Sequence, residues 1–560
     1  MKFKEIRYTH LVYEEIETKM KSLIESFRNS ISIDEAIENY KAFDECIDSF
    51  STNFNLAYIR NSLDTTDEYY SKEILYMYEI HPRVQNVYKD MILALLETSF
   101  RDELEKRWNS LMFINEEIEL KTISPEIAED LQEENKLMNK YVNLMASAKI
   151  KFNGEELNLS KLGAYLENPD REIREQVLKA KADWLDLNTD QMDIIFDKLV
   201  SLRDTIAKKL GLKDFIELGY YRWRRNCYNS EMVTEFREGV LKYIVPVVIK
   251  FKEKQAKRLG VPSIKVFDLA INYLDGNAKP KGSEKDLLKK AKKMYEELDK
   301  DTGEFFNMML ENELIDVTSR PGKAVGGYCI NLEEYKVPFI FANFNGTSAD
   351  IDVLTHEAGH AFAFYMNRNV KPSILKQFTF DVAEIHSMSM EFLTWDWMEL
   401  FFEDETPKYL ETHLENALTS LPYMCMVDEF QHIIYEKPQM NIEERNIVWL
   451  ELEKKYRPWL HFTGAPSFYA EGRRWQEQTH IYKLPFYYID YALAGVVALY
   501  FWAEAQENHA KAWAKYKKLV SFAGTKTFVE LLEECELPNP FKAENLKIIA
   551  DTVNKWLLEK

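Results

Sequence analysis

The pentapeptide His356-Glu357-Ala358-Gly359-His360 constrains this chain more than any other stretch of its sequence. If the segment is a helix, His356 and His360 lie one turn apart on the same face, and their imidazole nitrogens can bind one zinc ion. Glu357 lies about 100° further around that helix, so its carboxylate reaches past the metal instead of binding it. This is the position of a general base that acts on a water molecule at a metal. The pattern therefore predicts a helix that carries a metal site and a base.

A zinc ion that catalyses hydrolysis needs a third protein ligand and a fourth position that stays open. The segment 380–391 is predicted to be a second helix, and antiparallel packing against the first would bring Glu384 beside the two histidines. We take Glu384 as the third ligand. Asp381, His386 and Glu391 are candidates for side chains that orient the histidines by hydrogen bonds. For His386 and Glu391, a purely structural role is the equal alternative.

The histidine pair, with Glu384 24 residues after His360 and then Glu391, resembles the thimet oligopeptidase and oligoendopeptidase F family of zinc metallopeptidases. Further segments described below point to the oligoendopeptidase F branch. The resemblance implies a mainly α-helical, zincin-like body that encloses a deep substrate channel, with one Zn²⁺ ion per chain. It also implies a metalloendopeptidase that hydrolyses internal bonds of short unstructured peptides and excludes folded proteins.

The net charge excludes some classes of binding partner, and the cysteines indicate the cellular compartment. The formal net charge is -21, which argues against nucleic acid or an anionic membrane surface as a partner. The aromatic and basic segment 215–225 is therefore interpreted as a packed helix whose arginines pair with carboxylates. The five cysteines are scattered and odd in number, which favours a reducing compartment. No stretch approaches the roughly 20 apolar residues of a membrane span, and no signal sequence is recognised, so we expect a cytoplasmic protein. Its oligomeric state stays open.

The first 200 residues are predicted to be helical, because glycine and proline are sparse and apolar residues recur at spacings of three and four. No group of side chains in this part predicts chemistry. We expect an N-terminal helical lobe over 1–200, packed against a catalytic helical lobe over 201–560 that carries the zinc site. The segments 63–68 and 170–174 resemble the same family and are interpreted as markers of its fold.

The segment 320–329 is the richest in glycine. It lacks the GxxxxGK[ST] pattern of a phosphate-binding loop and resembles the mobile glycine loop of the family. Gly326 and Gly327 would let the backbone approach a bound peptide closely, and we assign them, together with Tyr328, to substrate binding. An ordinary flexible turn is the alternative.

Residues 337–344 form the clearest predicted strand, because the run is aromatic and β-branched and ends before Asn345-Gly346. A small sheet next to the helix of the histidine pair is therefore expected. As an edge strand, this segment could pair with an extended substrate, and Phe341, Ala342 and Asn343 are candidates for that contact. A simple core strand is the alternative.

The segment 480–494 resembles the histidine- and tyrosine-bearing loop of the family, in its oligoendopeptidase F form. Peptide hydrolysis passes through a tetrahedral oxyanion, and a phenol aimed at that oxygen is worth about 3 kcal/mol by analogy with other oxyanion donors. Tyr488 and Tyr491 lie three residues apart and can share a helical face, so we assign them to the oxyanion or the substrate. His480 is assigned to the substrate backbone and Tyr487 to substrate binding. Which of Tyr487, Tyr488 and Tyr491 is the catalytic tyrosine stays open by one register.

Two other functions compete with this one. A zinc carboxypeptidase or dipeptidase of a related helical zincin would trim peptide ends and would need an anchor for a terminal carboxylate, which the sequence does not place. A non-catalytic helical scaffold that binds peptides would carry the histidine pair by chance. Stoichiometric zinc together with chelator-sensitive hydrolysis would exclude the scaffold.

Overall fold

The computed structural model describes residues 1–559 and consists mainly of α-helices, as the sequence predicted. In chain order, the α-helices are α1 (Tyr13–Arg28), α2 (Ile33–Leu63), α3 (Glu68–Glu97), α4 (Arg101–Arg107), α5 (Ser110–Leu120), α6 (Ala128–Ala146), α7 (Leu159–Ala164), α8 (Arg171–Lys209), α9 (Phe215–Arg222), α10 (Ser230–Gly239), α11 (Val245–Arg258), α12 (Glu284–Leu298), α13 (Lys300–Glu311), α14 (Ala349–Met366), α15 (Phe380–Leu393), α16 (Glu399–Phe402), α17 (Thr406–Glu436), α18 (Ile442–Tyr456), α19 (Ser467–Ala470), α20 (Thr479–Lys483), α21 (Tyr488–Ser521), α22 (Phe528–Glu534) and α23 (Leu546–Glu559). The strands are β1 (Ile150–Phe152), β2 (Glu155–Leu157), β3 (Ile315–Asp316), β4 (Tyr328–Leu332) and β5 (Val337–Phe341). Within residues 1–559, no helix combines the length and the apolar character that a membrane crossing requires.

The chain forms two compact units, and each is assembled from three separate segments. The first unit contains Met1–Leu120, Lys279–Thr406 and Glu504–Leu537, and the second contains Lys121–Ala278, Pro407–Ala503 and the chain from Pro538 onward. This division differs from the two consecutive lobes that we expected, 1–200 and 201–560. The periodicity of a sequence predicts where helices lie, but it does not predict which distant helices pack together.

Helices α1, α2 and α3 pack on one another in the first unit. Each turns an apolar stripe inward, and Met20, Tyr40 and Met77, one from each helix, are buried in the shared core. The side chain of Asp67 accepts hydrogen bonds from the first backbone N–H groups of α3 and caps that helix. The family-like segment 63–68 is therefore the turn between α2 and α3.

A three-stranded sheet in the first unit lies next to α14. Its strand order is β3-β5-β4, with β5 parallel to β3 and antiparallel to β4. The register pairs Ile340 with Ile315 of β3, and Phe341 with Tyr328 of β4. The small sheet beside this helix was predicted, but its strand β5 is central and not the edge strand that we expected. The partners of β5 come from other segments, and an apolar run does not show how many neighbours a strand has.

An ion pair fixes the start of α8 in the second unit. The buried guanidinium of Arg174 donates to Asp268 at 2.8 Å, and Arg171 donates to the same carboxylate at 2.7 Å. Because Arg174 and Asp268 are both buried, loss of Asp268 would leave the charge of Arg174 without a carboxylate inside the fold. The family-like segment 170–174 is therefore an anchor of this helix.

The aromatic and basic segment 215–225 lies inside the second unit. Arg222 donates to the two carboxylate oxygens of Glu134, each at 3.1 Å, and Arg225 pairs with Asp490 at 2.8 Å. The prediction that these arginines pair with carboxylates is confirmed. Neither arginine belongs to a solvent-facing basic surface of the kind that binds nucleic acid.

Candidate active site

Helices α14 and α15 pack closely in the first unit, and Gly359 makes this possible. A Cβ atom on Gly359 would lie 2.5 Å from the carbonyl oxygen of His386 and 2.7 Å from the Cα of Ser387. Real Cβ atoms do not approach other atoms so closely. The absence of a side chain at Gly359 therefore sets the distance between the two helices that carry the predicted ligands.

The three predicted ligand side chains direct their ligand atoms toward one point between these helices. The Nε2 atom of His356 lies 3.4 Å from Oε2 of Glu384, and Nε2 of His360 lies 3.7 Å from the same oxygen. All three ligand atoms lie within 4.8 Å of one another. Two imidazole nitrogens and one carboxylate oxygen are a donor set that catalytic zinc uses, with a fourth position left open. The residues therefore fit a zinc ion.

Glu391 orients the first histidine. Its Oε1 lies 2.7 Å from Nδ1 of His356 and can accept a hydrogen bond from it, so that Nε2 is the ring nitrogen that faces Glu384. The carboxylate of Glu384 is held in turn by the hydroxyl of Ser387, which donates to Oε2 at 3.0 Å. The position of Glu391 matches the orienting role that the sequence suggested, whereas Ser387 was not foreseen.

The two carboxylates make this point favourable for positive charge. Burial lowers the pKa of His356, but the hydrogen bonds and charges of Glu384 and Glu391 outweigh burial and raise that pKa well above its ordinary value. Burial, with the charge of His356, lowers the pKa of His360 to about 4. His356 therefore carries a proton at the point where the site could instead bind a metal cation.

Glu357 is buried beside the ligand group. Burial raises its pKa to about 7, and Glu384 and Glu391 add to this while His356 opposes it. A carboxylate whose pKa lies near neutrality can both take up and release a proton at physiological pH. A Cβ atom on Gly327 would lie 3.7 Å from Oε1 of Glu357, so the glycine segment lies directly against this side chain.

The other two orienting candidates on α15 are buried. The ring of His386 packs edge-on against Phe378, with the ring centres 4.6 Å apart, and burial lowers its pKa to about 3. Within residues 1–559, Nε2 of His386 has no hydrogen-bond partner, and the hydroxyl of Tyr516 donates to its backbone carbonyl at 2.8 Å. Asp381 accepts a hydrogen bond from the N–H of Val382 at 2.8 Å. These contacts belong to the packing of α15.

The residues assigned to substrate binding in the sheet are engaged in the fold. Phe341, the last residue of the central strand, and Ala342 after it are buried, and the ring of Tyr328 stacks on Phe341 with the centres 4.7 Å apart. The amide of Asn343 donates to backbone carbonyls of the glycine segment. Gly326, with φ +98, has a backbone conformation that favours glycine.

The edge strand of this sheet next to Glu357 is β4. The N–H groups of Ile340 and Ala342 donate to backbone carbonyls on the β3 side. The N–H and C=O of Phe341, which lies between them, therefore point toward β4. In the antiparallel ladder, Cys329 is opposite Ile340 and therefore directs its N–H and C=O outward, away from β5. Two residues on, the carbonyl of Asn331 accepts a hydrogen bond from the side chain of Asn55 at 2.9 Å. The free outer edge of β4 therefore includes Cys329 and ends at Asn331, where Asn55 of α2 binds the backbone carbonyl.

The predicted histidine and tyrosines form one cluster in the second unit. The ring of His480 lies 4.6 Å from that of Tyr488, and the hydroxyl of Tyr487 donates to that of Tyr491 at 3.2 Å. Gln478, which the sequence did not single out, lies 2.8 Å from Nδ1 of His480. His480 of α20, Tyr487 of the turn after it, and Tyr488 and Tyr491 of α21 are therefore fixed relative to one another.

A distant segment holds the turn that precedes these tyrosines. Phe486 has a φ of 67, and its carbonyl accepts a hydrogen bond from Arg225. The indole of Trp223 donates to the carbonyl of Pro485 at 2.7 Å, and Arg225 also binds Asp490 in the first turn of α21. That Arg225 holds this particular turn could not be predicted from the sequence, because its partners lie about 260 residues away.

Comparison with known proteins gives concordant matches. The sequence profile described as Peptidase family M3 matches residues 164–550, and that of the Peptidase M3 N-terminal domain matches residues 3–123. The solved structure of PZ peptidase A with an inhibitor is 43% identical, with a TM-score of 0.92, over 100% of this chain and 99% of its own. A crystal structure assigned to oligoendopeptidase F from Bacillus anthracis str. Ames is 42% identical, with a TM-score of 0.87, over 100% and 98%. Oligopeptidase PepF of Bacillus subtilis (strain 168) is 24% identical over 52% of this chain, and the matched region spans only 44% of that relative's own length.

Proposed function

This chain belongs to peptidase family M3, in its oligoendopeptidase F group, and from this premise we propose that it is a zinc-dependent endopeptidase of short unstructured peptides. The observation that carries the proposal is the convergence of His356, His360 and Glu384, with the buried carboxylate of Glu357 beside them. These four residues supply three donors for zinc and a base, which is the set that a hydrolytic metallopeptidase needs.

His356, His360 and Glu384 would hold the zinc ion, and Glu391 would keep His356 in the orientation that binding requires. When bound, zinc would polarise the scissile carbonyl and make a water molecule more acidic. Ser387 would keep one oxygen of Glu384 in place through the hydrogen bond that it donates.

Glu357 would act as the general base. It would take a proton from the attacking water molecule and then deliver that proton to the leaving amine, so that it ends the cycle unprotonated. A pKa of about 7, raised by burial, supports both transfers, because neither direction is strongly uphill at neutral pH. The buried surroundings of Glu357 would also keep bulk water away from the transferred proton.

We propose that the substrate backbone pairs with the outer edge of β4 and not with β5. The outward N–H and C=O of Cys329 can bond an extended peptide, and Gly327 leaves room for its backbone beside Glu357. The hydrogen bond from Asn55 to Asn331 would end this pairing on one side. Phe341, Ala342 and Asn343 would then support the edge strand instead of contacting the peptide.

We further propose that Tyr488 or Tyr491 donates a hydrogen bond to the oxyanion and that His480 contacts the substrate backbone. Tyr487 would keep the hydroxyl of Tyr491 oriented through their hydrogen bond. Such preorganised donors act on the charge that develops in the transition state, which is where binding lowers the barrier.

A deep channel of the kind expected for this family would admit short peptides and exclude folded proteins, and clearance of peptides in the cytoplasm is the role that we propose. The test is to incubate the purified protein with peptides of graded length and with an unfolded protein, with and without a chelator. Products are then identified by mass spectrometry, and Glu357→Gln protein serves as the matched control.

Internal cuts that are confined to short peptides and abolished by the chelator would support the proposal. Removal of terminal residues alone would favour a carboxypeptidase or dipeptidase. A zinc-loaded sample that yields no product would favour a non-catalytic peptide-binding scaffold.

A further inference from the structure

The glycine-rich residues 320–327, here called the glycine loop, are bound to the end of α2 and the turn after it. The N–H of Ala324 donates to the carbonyl of Ser62 at 2.8 Å. In the other direction, the N–H and the hydroxyl of Thr65 both donate to the carbonyl of Gly322, at 2.6 and 2.8 Å. Two segments that lie about 260 residues apart therefore hold one another by three hydrogen bonds.

A buried lysine holds the loop from below. The ammonium group of Lys323 donates to Oδ1 of Asp316 at 2.7 Å and to the carbonyls of Thr318 and Ala342, at 3.1 and 2.5 Å. Its side chain is buried, and the charge lies 4.4 Å from the centre of the Phe341 ring. With the carbonyl of Asp316 at 3.2 Å, this buried ammonium group has four oxygen acceptors, and it is fixed because movement would leave its charge unsatisfied.

Asn343 binds the loop at its tip. Its Nδ2 donates to the carbonyls of Ala324 and Gly326, each at 2.9 Å. These two carbonyls flank Val325, whose side chain is 95% exposed. The loop is therefore held on both sides of its tip, and the exposed valine is the part that projects between the two bonds.

The position of the loop matters because its last residue, Gly327, lies against Glu357. A Cβ atom on Gly327 would lie 3.2 Å from Cγ1 of Val353, 3.4 Å from the carbonyl oxygen of Phe341 and 3.7 Å from Oε1 of Glu357. The backbone at Gly327 thus covers the carboxylate that we assign as the base. A shift of this backbone would change both the cover over Glu357 and the edge that we assign to the substrate.

We propose that Asn343 is a positioning residue that, together with the turn Ser62–Thr65, fixes the glycine loop over Glu357. The loop is then a fixed wall of the site and not the mobile element that the family resemblance suggests. The same proposal gives the family-like segment 63–68 a function, because Thr65 of this segment anchors the glycine loop. This inference rests on the proposed peptidase function for its catalytic consequence, but the position of the loop can be tested without it.

The experiment compares Asn343→Asp protein with the wild type. Aspartate has nearly the same shape, but its ionised carboxylate cannot donate to the two carbonyls and is repelled by them. Thr347→Ala is the matched control, because Thr347 is close in sequence and its hydroxyl bonds only to Asn345 among the bonds described. Thr65→Val is a second variant at an exposed position, where folding is not at risk.

Hydrogen exchange followed by mass spectrometry reports on the loop through the bonded amides of Ala324 and Thr65. We expect these amides to exchange at least tenfold faster in Asn343→Asp protein and somewhat faster in Thr65→Val protein, with no change in Thr347→Ala protein. Zinc content should stay at the wild-type level in all three. In Asn343→Asp protein, kcat/KM for a short peptide should fall at least tenfold.

Two results would overturn the inference. Unchanged exchange at Ala324 and Thr65 in Asn343→Asp protein would show that Asn343 does not hold the loop. Faster exchange with unchanged kcat/KM would show that a fixed loop is not needed for hydrolysis. A wild-type protein without peptidase activity would refute the proposed function instead, and the exchange rates would still decide whether Asn343 fixes the loop.

Discussion

Gly359 and His386 lie in direct backbone contact between α14 and α15, so that even a methyl group on Gly359 would come within 2.5 Å of the His386 carbonyl oxygen. Gly359 directly precedes His360, and His386 lies two residues after Glu384, so the contact adjoins two of the proposed metal ligands. Because backbone atoms occupy the space on the α15 side, a larger residue cannot be accommodated by rotation of a side chain. The spacing of the two helices and the spacing of the ligands are therefore set by the same contact.

We expect Gly359→Ala to push the helices apart, to cost about 1–3 kcal/mol of unfolding free energy and to lower zinc affinity. Thermal unfolding and zinc content by mass spectrometry measure the two effects. Gly163→Ala is the matched control, because Gly163 is also helical and has no neighbouring atom within 4 Å of its added Cβ. Full zinc affinity in the Gly359→Ala protein would contradict this account.

Glu391→Gln should weaken zinc binding by about 10–100-fold, because an amide is a poorer acceptor for Nδ1–H of His356 and can also present its own N–H. Competition with a chromogenic chelator measures the affinity. Glu399→Gln, at an exposed residue of α16, should leave it unchanged. Equal affinities in the two variants would remove Glu391 from the site.

Glu357→Gln should retain zinc and lose about 10²–10⁴-fold in kcat, since glutamine cannot accept the proton of the attacking water. His356→Ala should instead lose the zinc itself. The two variants are compared by metal analysis and by steady-state hydrolysis of one peptide. Substantial turnover in the glutamine variant would assign the base to another group.

Phenylalanine substitutions can decide the register of the catalytic tyrosine. The tyrosine that donates to the oxyanion should lose about 10²–10³-fold in kcat when its hydroxyl is removed, with little change in KM. Tyr488→Phe and Tyr491→Phe are therefore measured side by side. Tyr487→Phe should have a smaller effect, which acts through the loss of its bond to Tyr491. Wild-type kcat in both of the first two variants would refute the assignment.

Glu134 gives the second unit a defined sensitivity to acid. Burial raises the pKa of Glu134, but Arg203 and Arg222 outweigh burial and lower it to about 2, from 4.5 for an unperturbed glutamate. A depressed pKa stabilises the fold above the unfolded value, and this stabilisation is lost as the pH falls from about 4.5 toward 2.

We therefore expect Glu134→Gln to lower the unfolding free energy by about 3 kcal/mol at pH 7, and the difference from wild type should shrink by more than half by pH 3. Urea denaturation at several pH values measures it. Glu133→Gln, at the exposed neighbouring position, should show no such pH-dependent difference. A difference that does not depend on pH would contradict the electrostatic explanation.

The proximity of the three proposed ligands could be predicted from the sequence because it depends on short-range geometry. One helical turn places His356 beside His360, and a single helix–helix contact brings Glu384 to them. The same holds for the helical fold class, which follows from apolar periodicity.

What could not be predicted depends on partners that are distant in the chain. Whether β5 is an edge strand or a core strand could not be decided from the sequence, because nothing in its own residues shows that Ile315 and Tyr328 pair with it. Gln478 and Arg225 hold the histidine and tyrosine cluster in place, but no sequence motif marks either residue. Their contribution arises only from the atoms that the fold brings next to them.

The interleaving of the two units has a consequence for how the protein is made. The helices that carry the proposed ligands are secured by late residues of the same unit, since Val520 accepts a hydrogen bond from Asn367 at the end of α14, and Tyr516 binds the His386 carbonyl. A nascent chain that has emerged only as far as α15 therefore contains all three proposed metal donors without the packing that aligns them. Translation must pass these late residues before a competent protease can exist, so a ribosome that stalls earlier releases an inert fragment.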